Sequence, residues 1–372
     1  MRSASTPPPS LFALAAAISL CGCVHHGVAE QTIPADAPPR WVGTGPNGAQ
    51  LLALYEGYDA VGLHEAYADR GWRSRFVDLG GRIDALTPLT EDAWVTANNE
   101  AGTLNLARRI GGAWTAERLA TLEAAPTQVA AGDLNRDGVP DLAVVSHANR
   151  PVLRIFVGTA SGTFRTPRIV PLDPRGRAEP TLDMVDLGRN GLDDVVVGLR
   201  TGAFSTPVPD HVRVFGSVGH GGLADEWMVR VPAPTQLDAA DVDEDGLPDV
   251  LAVGPRGAWL LRSVGFGWLD TPQQVARGPF VDGLLDDVNG DGHVDVVLLD
   301  EQAARFDVRL GSGAGRLAPS RRYVTGAGPI SATTVRRGEE VLLVSANAED
   351  RSFTTVQVRR REPRTSSRRR RR

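Results

Sequence analysis

Short runs of apolar, often β-branched residues recur along this chain of 372 residues, separated by glycine, proline and acidic residues. Short runs bounded by turn-forming residues are typical of buried β-strands. In the first part of the chain the runs lie at residues 50–55, 58–65, 72–79, 93–97, 103–109 and 114–122. Further along they lie at 142–145, 195–197, 250–253 and 296–299. The pattern predicts an all-β protein with many short strands.

Each of the last four runs follows a loop of nine residues rich in aspartate. Three loops, DLNRDGVPD at 133–141, DVDEDGLPD at 241–249 and DVNGDGHVD at 287–295, place acidic or amide oxygens at positions 1, 3, 5 and 9 and glycine at position 6. This pattern suits a hard, oxygen-seeking cation such as Ca²⁺. The predicted ligands are Asp133, Asn135, Asp137 and Asp141; Asp241, Asp243, Asp245 and Asp249; and Asp287, Asn289, Asp291 and Asp295.

A fourth loop, DLGRNGLDD at 186–194, is an incomplete copy. It keeps Asp186, Asn190 and Asp194 as candidate ligands but has Gly188 where position 3 should supply an oxygen. The loop beginning at Asp241 carries four aspartates and Glu244, so we expect it to be the most negatively charged of the set. A metal-free turn is the alternative for each loop, since Asp, Asn and Gly favour turns by themselves. Three copies in the same register favour the metal.

An EF-hand would need a bidentate glutamate at position 12 and flanking helices. Position 12 is instead Val144, Val197, Ala252 or Leu298, within the apolar runs, which excludes this fold. The loop followed by a buried strand and a glycine-rich turn resembles the FG-GAP/VCBS repeat, the blade unit of integrin-type β-propellers. The turns are GTASGTF at 158–164, VGFGWL at 264–269 and GSGAGRL at 311–317. The resemblance implies calcium binding by the ligands given above.

The loops begin at residues 133, 186, 241 and 287, a spacing of 53, 55 and 46 residues that indicates a structural repeat. Blades are expected at 125–173, 179–232, 234–277 and 278–327, with two earlier blades at 41–80 and 81–124 and a shorter last unit at 329–358. Seven units lie within the usual range for propellers. The short last unit predicts closure by a strand from within residues 30–42. The 41 Gly and 26 Pro agree with a fold of tight turns.

The N-terminal segment predicts export. Residues 1–23 contain Arg2, an apolar stretch at 11–20 and the ending Leu-Cys-Gly-Cys, which resembles a bacterial lipoprotein processing site with Cys23 as the lipidated residue. A plain secretory signal is the alternative, and a small metal or redox site in CGCVHH at 21–26 is a second one. Residues 24–40 are polar and proline-rich, which predicts a tether. The expected location is the outer membrane, by a lipid anchor, or the secreted fraction.

The C-terminal tail, residues 359–372, holds nine arginines and one glutamate and so has a net charge of +8. Because the whole chain has a net charge of −5, the remaining residues carry −13. Such blocks are disordered and often bind polyanions, so anionic lipid or acidic polysaccharide is the expected partner and nucleic acid is not. A solvated tail without a partner is the alternative.

No fixed-spacing nucleophile, zinc or phosphate-binding motif occurs, and the seven tryptophans are expected to pack the blades. We therefore expect no catalytic residues, and a calcium-stabilised seven-bladed β-propeller that serves as a binding or adhesion module for a protein or glycan at the bacterial cell envelope. A propeller enzyme acting on polysaccharide, or a passive scaffold with an anion-binding tail, is the alternative.

Overall fold

The structure, a computed structural model, describes residues 30–359 except residues 36, 67–70, 148–149, 173–177 and 202–208. The predicted signal segment, the lipidation candidate Cys23 and all of the arginine-rich tail except Arg359 lie outside the described residues. Among the described residues, no helix is long and apolar enough to span a membrane.

In the described part of the chain, twenty-eight β-strands form seven antiparallel sheets of four strands each. Blade 1 holds β2 (Pro39–Thr44), β3 (Gln50–Tyr55), β4 (Ala60–Ala66) and β5 (Trp72–Asp78), and blade 2 holds β6 (Ala85–Thr90), β7 (Ala93–Asn98), β8 (Thr103–Ile110) and β9 (Ala113–Thr121). Blade 3 holds β10 (Ala125–Gly132), β11 (Asp141–His147), β12 (Val152–Phe156) and β13 (Arg168–Pro171), and blade 4 holds β14 (Glu179–Val185), β15 (Asp194–Arg200), β16 (His211–Ser217) and β17 (Leu223–Arg230). Blade 5 holds β18 (Gln236–Ala240), β19 (Asp249–Gly254), β20 (Gly257–Leu261) and β21 (Gln273–Ala276), and blade 6 holds β22 (Asp282–Asp286), β23 (Asp295–Asp300), β24 (Arg305–Arg309) and β25 (Arg321–Val324).

Blade 7 closes the ring with strands from both ends of the chain. It holds β26 (Pro329–Arg337), β27 (Glu340–Asn347), β28 (Ser352–Val356) and, as the fourth strand, β1 (Glu30–Pro34), which pairs antiparallel with β28. The expected closing strand is therefore confirmed. The prediction that residues 24–40 form a tether is wrong from Glu30 onward, because β1 and the start of β2 belong to the propeller. The prolines that suggested a tether lie at the ends of these strands, where proline is tolerated.

Side chains that point alternately to the two faces of each strand explain why the blades stack. In β11, Leu142 and Val144 pack against blade 2, while Ala143 and Val145 pack against blade 4. Successive side chains of a strand point to opposite faces, so a strand buried on both faces must be apolar throughout. Seven hydrophobic clusters result, one at each junction between neighbouring blades, including the junction of blades 7 and 1.

The inner strands surround the propeller axis, and polar side chains of one blade bind backbone amides of the next. Gln128 Oε1 accepts from Leu182 N at 2.7 Å, Asp238 Oδ2 from Leu285 N at 2.6 Å, and Asp282 Oδ2 from Ala332 N at 2.8 Å. These bonds satisfy amides on strand edges that have no partner strand. These bonds leave no local signature in the sequence, because they join residues about 50 positions apart.

The axis also holds acidic groups with raised pKa values. Burial raises the pKa of Asp183 to about 7, and burial together with the charge of Asp183 raises the pKa of Asp238 well above its ordinary range. Burial likewise raises the pKa of Asp282 to about 6. Gln128 Nε2 lies 3.4 Å from Gln236 Oε1, a contact between blades 3 and 5 that spans blade 4. Acidic and amide side chains of several inner strands therefore line the axis at this level.

Closure at blade 7 gives a first prediction. Phe353 is 1% exposed and packs edge-on against Tyr55 of blade 1, with ring centroids 6.1 Å apart. Phe353→Ala is expected to lower the free energy of unfolding by about 3–5 kcal/mol, because it leaves a cavity at the closing junction. Phe266→Ala, at a residue that is 91% exposed, is the control and is expected to change it by less than about 0.5 kcal/mol. Equal effects in urea unfolding would contradict the closing role of this junction.

The axial acids give a second prediction, for Asp183→Asn. The folded protein keeps a proton on Asp183 up to about pH 7, whereas the unfolded chain loses it near pH 4. Between these values the folded state binds more protons, so the stability contributed by this group is lost as pH rises. Asparagine does not titrate, so the variant does not lose this stability as pH rises. Relative to the parent, its free energy of unfolding is expected to increase by roughly 1–3 kcal/mol between pH 5 and pH 8. Parallel stability curves for the two proteins would refute it.

Candidate functional site

The four aspartate-rich loops occupy the same place in blades 3, 4, 5 and 6. Each loop connects the inner strand of its blade, which is β10, β14, β18 or β22, to the second strand. Position 9 of the loop is the first residue of that second strand: Asp141, Asp194, Asp249 or Asp295. Because every loop makes the same connection, all four lie on one face of the ring.

The first aspartate of each loop holds the turn together. Asp133 Oδ1 accepts from Arg136 N at 2.7 Å and Asp133 Oδ2 accepts from Gly138 N at 2.8 Å. The corresponding bonds to the position-6 glycine measure 2.7 Å from Asp186, 2.8 Å from Asp241 and 2.7 Å from Asp287. Partial burial raises the pKa of Asp133, but the backbone N–H groups outweigh burial and hold it below its usual range.

The turn requires left-handed backbone at two positions. The position-6 glycines have φ of +75°, +80°, +92° and +91° in blades 3 to 6, a conformation that glycine adopts at low cost. Position 4 also has positive φ, and there the residues are Arg136, Arg189, Glu244 and Gly290. A side chain at position 4 leaves its own loop: Arg136 Nη1 donates to Asn190 O at 3.4 Å, and Glu244 Oε1 lies 2.5 Å from His293 Nδ1. Neighbouring loops are thus in contact.

The aspartate at position 9 is buried and fully hydrogen-bonded. Asp295 Oδ1 accepts from Gly311 N at 2.7 Å, just after the third strand, and Asp295 Oδ2 accepts from Val288 N at 3.2 Å, at position 2. Asp141, Asp194 and Asp249 accept the equivalent bonds from Gly158 N, Ser217 N and Ser263 N. Burial raises the pKa of all four to about 6. Nearby positive charge would offset this cost of burial.

Position 3 differs between the loops. In blades 3 and 6 the side-chain amides of Asn135 and Asn289 donate to Oδ2 of the position-9 aspartate, at 3.4 and 3.1 Å. In blade 5 position 3 is Asp243, and Arg262 Nη1 takes the place of the amide, 2.7 Å from Asp249 Oδ2 and 3.0 Å from Asp243 Oδ2. In blade 4 it is Gly188, which has no side chain to offer, so this loop lacks the contact.

Three buried oxygen atoms in these loops have no hydrogen-bond donor. They are Oδ1 of Asn289 in blade 6 and Oδ1 of both Asp241 and Asp243 in blade 5. Asn289 is 8% exposed, so water reaches this oxygen poorly. Oxygens of Asp241, Asp243 and Asp245 lie within 4.8 Å of one another. A buried oxygen without a donor is costly unless a cation binds it, and such oxygens are the ligands that hard divalent cations prefer.

The blade 3 loop brings the same residue types together with fewer free oxygens. Asn135 Oδ1 accepts from Asp137 N at 2.9 Å, and Asp137 Oδ1 accepts from Val139 N at 2.8 Å. Carboxylate and amide oxygens have a second lone pair for a further ligand. The residues in blades 3, 5 and 6 therefore fit a divalent cation, and the incomplete loop of blade 4 fits it least.

A second candidate site is an exposed aromatic surface near the rim of blades 4 and 5, which we call the aromatic patch: Trp227 on β17, and Phe266 and Trp268 in the turn between β20 and β21. The rings of Trp227 and Trp268 stack at 5.5 Å with an angle of 18°, and Trp227 Nε1 donates to Leu269 O at 2.6 Å. Trp227, Trp268 and Phe266 are 39%, 54% and 91% exposed. The expectation that the tryptophans pack the blades is correct for Trp94, which is buried, whereas Trp268 stacks on Trp227 of the adjacent blade but remains half exposed.

Comparison with known proteins identifies a repeat in this region and relatives of the fold. Residues 133–197, which contain the loops of blades 3 and 4, match the FG-GAP-like repeat family. A search of curated proteins finds no significant match.

Three similar solved structures share the fold at low sequence identity. The hydrazine synthase of Kuenenia stuttgartiensis has a TM-score of 0.60 and 13% identity over 88% of this chain and 97% of that one. The WD40 β-propeller domain of Doa1 has a TM-score of 0.54 and 10% identity over 87% and 94%. An Agrocybe aegerita lectin that recognises non-reducing terminal N-acetylglucosamine has a TM-score of 0.53 and 15% identity over 79% of each chain. The protein is a seven-bladed β-propeller that carries an FG-GAP-like repeat at residues 133–197.

Proposed function

We propose that this protein is a calcium-stabilised β-propeller that acts as a binding or adhesion module at the bacterial cell envelope. The observation that carries the calcium proposal is the buried Oδ1 of Asn289, which has no donor and belongs to a loop of further oxygen ligands. In blade 6 the ligands are Asp287, Asn289, Asp291 and Asp295. The equivalent residues of blades 3 and 5 form the other two sites.

Calcium would act as a clamp between strands. Each loop joins an inner strand to a second strand and holds a buried carboxylate whose pKa is raised by burial to about 6. The metal-free loop therefore keeps several carboxylates close together at a cost in electrostatic energy. A bound divalent ion reverses the sign of this interaction and stabilises the folded blade.

The structural hydrogen bonds of the axial acids favour binding over catalysis. Asp238 and Asp282, two axial acids whose pKa is raised by burial, accept backbone hydrogen bonds from the next blade and so hold the ring together. A polysaccharide-cleaving site would need an open cleft with acids free to reach the substrate.

The aromatic patch is the surface that we propose for recognition. Exposed tryptophan and phenylalanine rings offer large apolar faces to a protein or to the faces of sugar rings. Trp227 is held in place by its bond to Leu269 O, so the patch is arranged before a partner binds. A preorganised surface loses less entropy on binding. The partner proposed is a glycan or protein of the cell surface.

Attachment to the envelope rests on the sequence alone. We propose an outer-membrane lipid anchor at Cys23, with a secreted form as the alternative, and contact of the arginine-rich tail with anionic lipid or polysaccharide. Together with the calcium loops, these features are those expected of a propeller held near a membrane surface.

The calcium proposal predicts a metal-dependent melting temperature. With dissociation constants of about 0.1–1 mM, 10 mM CaCl₂ is expected to stabilise the protein by roughly 1–3 kcal/mol per site relative to excess EGTA. Asn289→Ala is expected to reduce this increment, and Asn105→Ala, in a strand of blade 2, is the control that keeps it. If each of the three proteins melts at the same temperature in CaCl₂ as in EGTA, the proposal is refuted.

The recognition surface gives a separate prediction. The double variant Phe266→Ser, Trp268→Ser is expected to sediment with isolated bacterial envelope fractions at least about tenfold less than the parent, since these rings supply the apolar contact. Its melting temperature is expected to stay within about 2 °C, because both side chains are exposed. Ile110→Ser, at a residue that is 66% exposed on blade 2, is the matched control. Unchanged sedimentation of the double variant would place recognition elsewhere.

A further inference from the structure

Arg262 occupies the blade 5 loop in the way a bound cation would. It directly follows β20, and its Nη1 lies 3.0 Å from Asp243 Oδ2 and 2.7 Å from Asp249 Oδ2, at positions 3 and 9 of the loop. Its Nη2 donates to Gly315 O, in the glycine-rich turn of blade 6, at 2.8 Å. The side chain is 19% exposed. One guanidinium thus bridges two acidic side chains of the loop and reaches the next blade.

The other loops serve as internal controls for this contact. In each of these four blades the position-9 aspartate accepts a backbone N–H that lies at or just after the end of the third strand. The residue that precedes this N–H is Arg262 in blade 5, but Val157, Gly216 and Leu310 in blades 3, 4 and 6. Blades 3 and 6 have asparagine at position 3, whose amide donates to the position-9 carboxylate. Only blade 5, among these four loops, has an aspartate at position 3, and only blade 5 has the arginine.

Electrostatics explains why the two residues occur together. Asp243 and Asp249 have like charges, and both approach the same nitrogen atom, Arg262 Nη1, at 3.0 and 2.7 Å. An asparagine at position 3 removes this repulsion. An aspartate there requires a positive charge, which either a divalent ion or a guanidinium can supply.

We propose that the Arg262 guanidinium is the resident cation of the blade 5 loop. It keeps the loop closed without metal, and a divalent ion at this loop must compete with it for Asp243 and Asp249. Blade 5 is therefore the weakest of the three calcium sites, although its loop carries the most aspartates. The part of this inference that concerns competition rests on the proposed calcium binding, whereas the metal-free part does not.

The test uses a double-mutant cycle in the full chain. Arg262→Ala, Asp243→Asn and the double variant are unfolded by urea and by heat in excess EGTA. Arg262→Ala is expected to lower the melting temperature by several degrees, because Asp243 and Asp249 then face each other without a counter-charge. In the Asp243→Asn background the same change is expected to cost less than half as much, since position 3 then resembles blades 3 and 6. An equal cost in both backgrounds overturns the proposal.

Calcium titration then separates this inference from the proposed function. In 10 mM CaCl₂ the melting temperature of Arg262→Ala is expected to return to that of the parent. The variant is also expected to bind calcium at blade 5 about tenfold more tightly than the parent, because one nearby positive charge is gone. Arg305→Ala is the matched control: Arg305 pairs with Asp300 at 3.2 Å, away from the loops, so calcium is not expected to restore its loss. Equal recovery of the two variants overturns the competition.

Three further outcomes are decisive. Arg262→Lys keeps the charge and is expected to retain most of the stability in EGTA; a loss as large as that of Arg262→Ala contradicts a role as a cation. If Arg262→Ala folds only with calcium, the ion replaces the guanidinium, as proposed. If none of the proteins responds to calcium, the proposed calcium function and the competition both fail, while the cycle in EGTA still decides whether Arg262 is the resident cation.

Discussion

A buried carboxylate at the start of the second strand is the constraint on which the loop face of this propeller depends. Asp141, Asp194, Asp249 and Asp295 bind the loop to the end of the third strand through one oxygen and to position 2 through the other. Burial of these groups is costly, as their pKa values of about 6 indicate. The rest of the loop supplies donors and, we propose, cations that lower this cost. Asparagine does so in blades 3 and 6, and arginine does so in blade 5.

The loops matter because the blades depend on one another. A four-stranded sheet with two apolar faces cannot bury both by itself, so each blade is stable only between its neighbours. The seven hydrophobic clusters at the junctions and the bonds from inner strand to inner strand make the ring one cooperative body. A clamp in one loop therefore stabilises more than its own blade, and contacts such as Glu244 with His293 extend it to the adjacent loop.

Much of the fold could be predicted from local patterns, because strand alternation and loop spacing are local properties. The predicted strand at residues 50–55 coincides with β3, and the prediction of seven blades is confirmed. The inner strands β2 and β6 were not predicted, since blades 1 and 2 lack the aspartate loops that mark the first strand. The extent of the N-terminal tether was wrong because β1 is defined by pairing with β28, more than 300 residues away.

The features missed at the sites all depend on contacts between distant residues. Arg262 lies 13 residues after Asp249, and its meaning is visible only when the third strand is aligned with the loop. A comparison of the blades at the position before Ser263 would have revealed it in the sequence. The stacking of Trp227 on Trp268 joins two blades and leaves no local signature.

The number of divalent ions that the folded protein retains decides most directly whether the loops bind calcium. Native mass spectrometry of the mature protein, exchanged into a volatile buffer with a low concentration of calcium, measures this number. Two retained calcium ions, reduced to one by Asn289→Ala, are the predicted result, corresponding to blades 3 and 6. A protein that keeps its folded charge-state distribution and carries no calcium would contradict it.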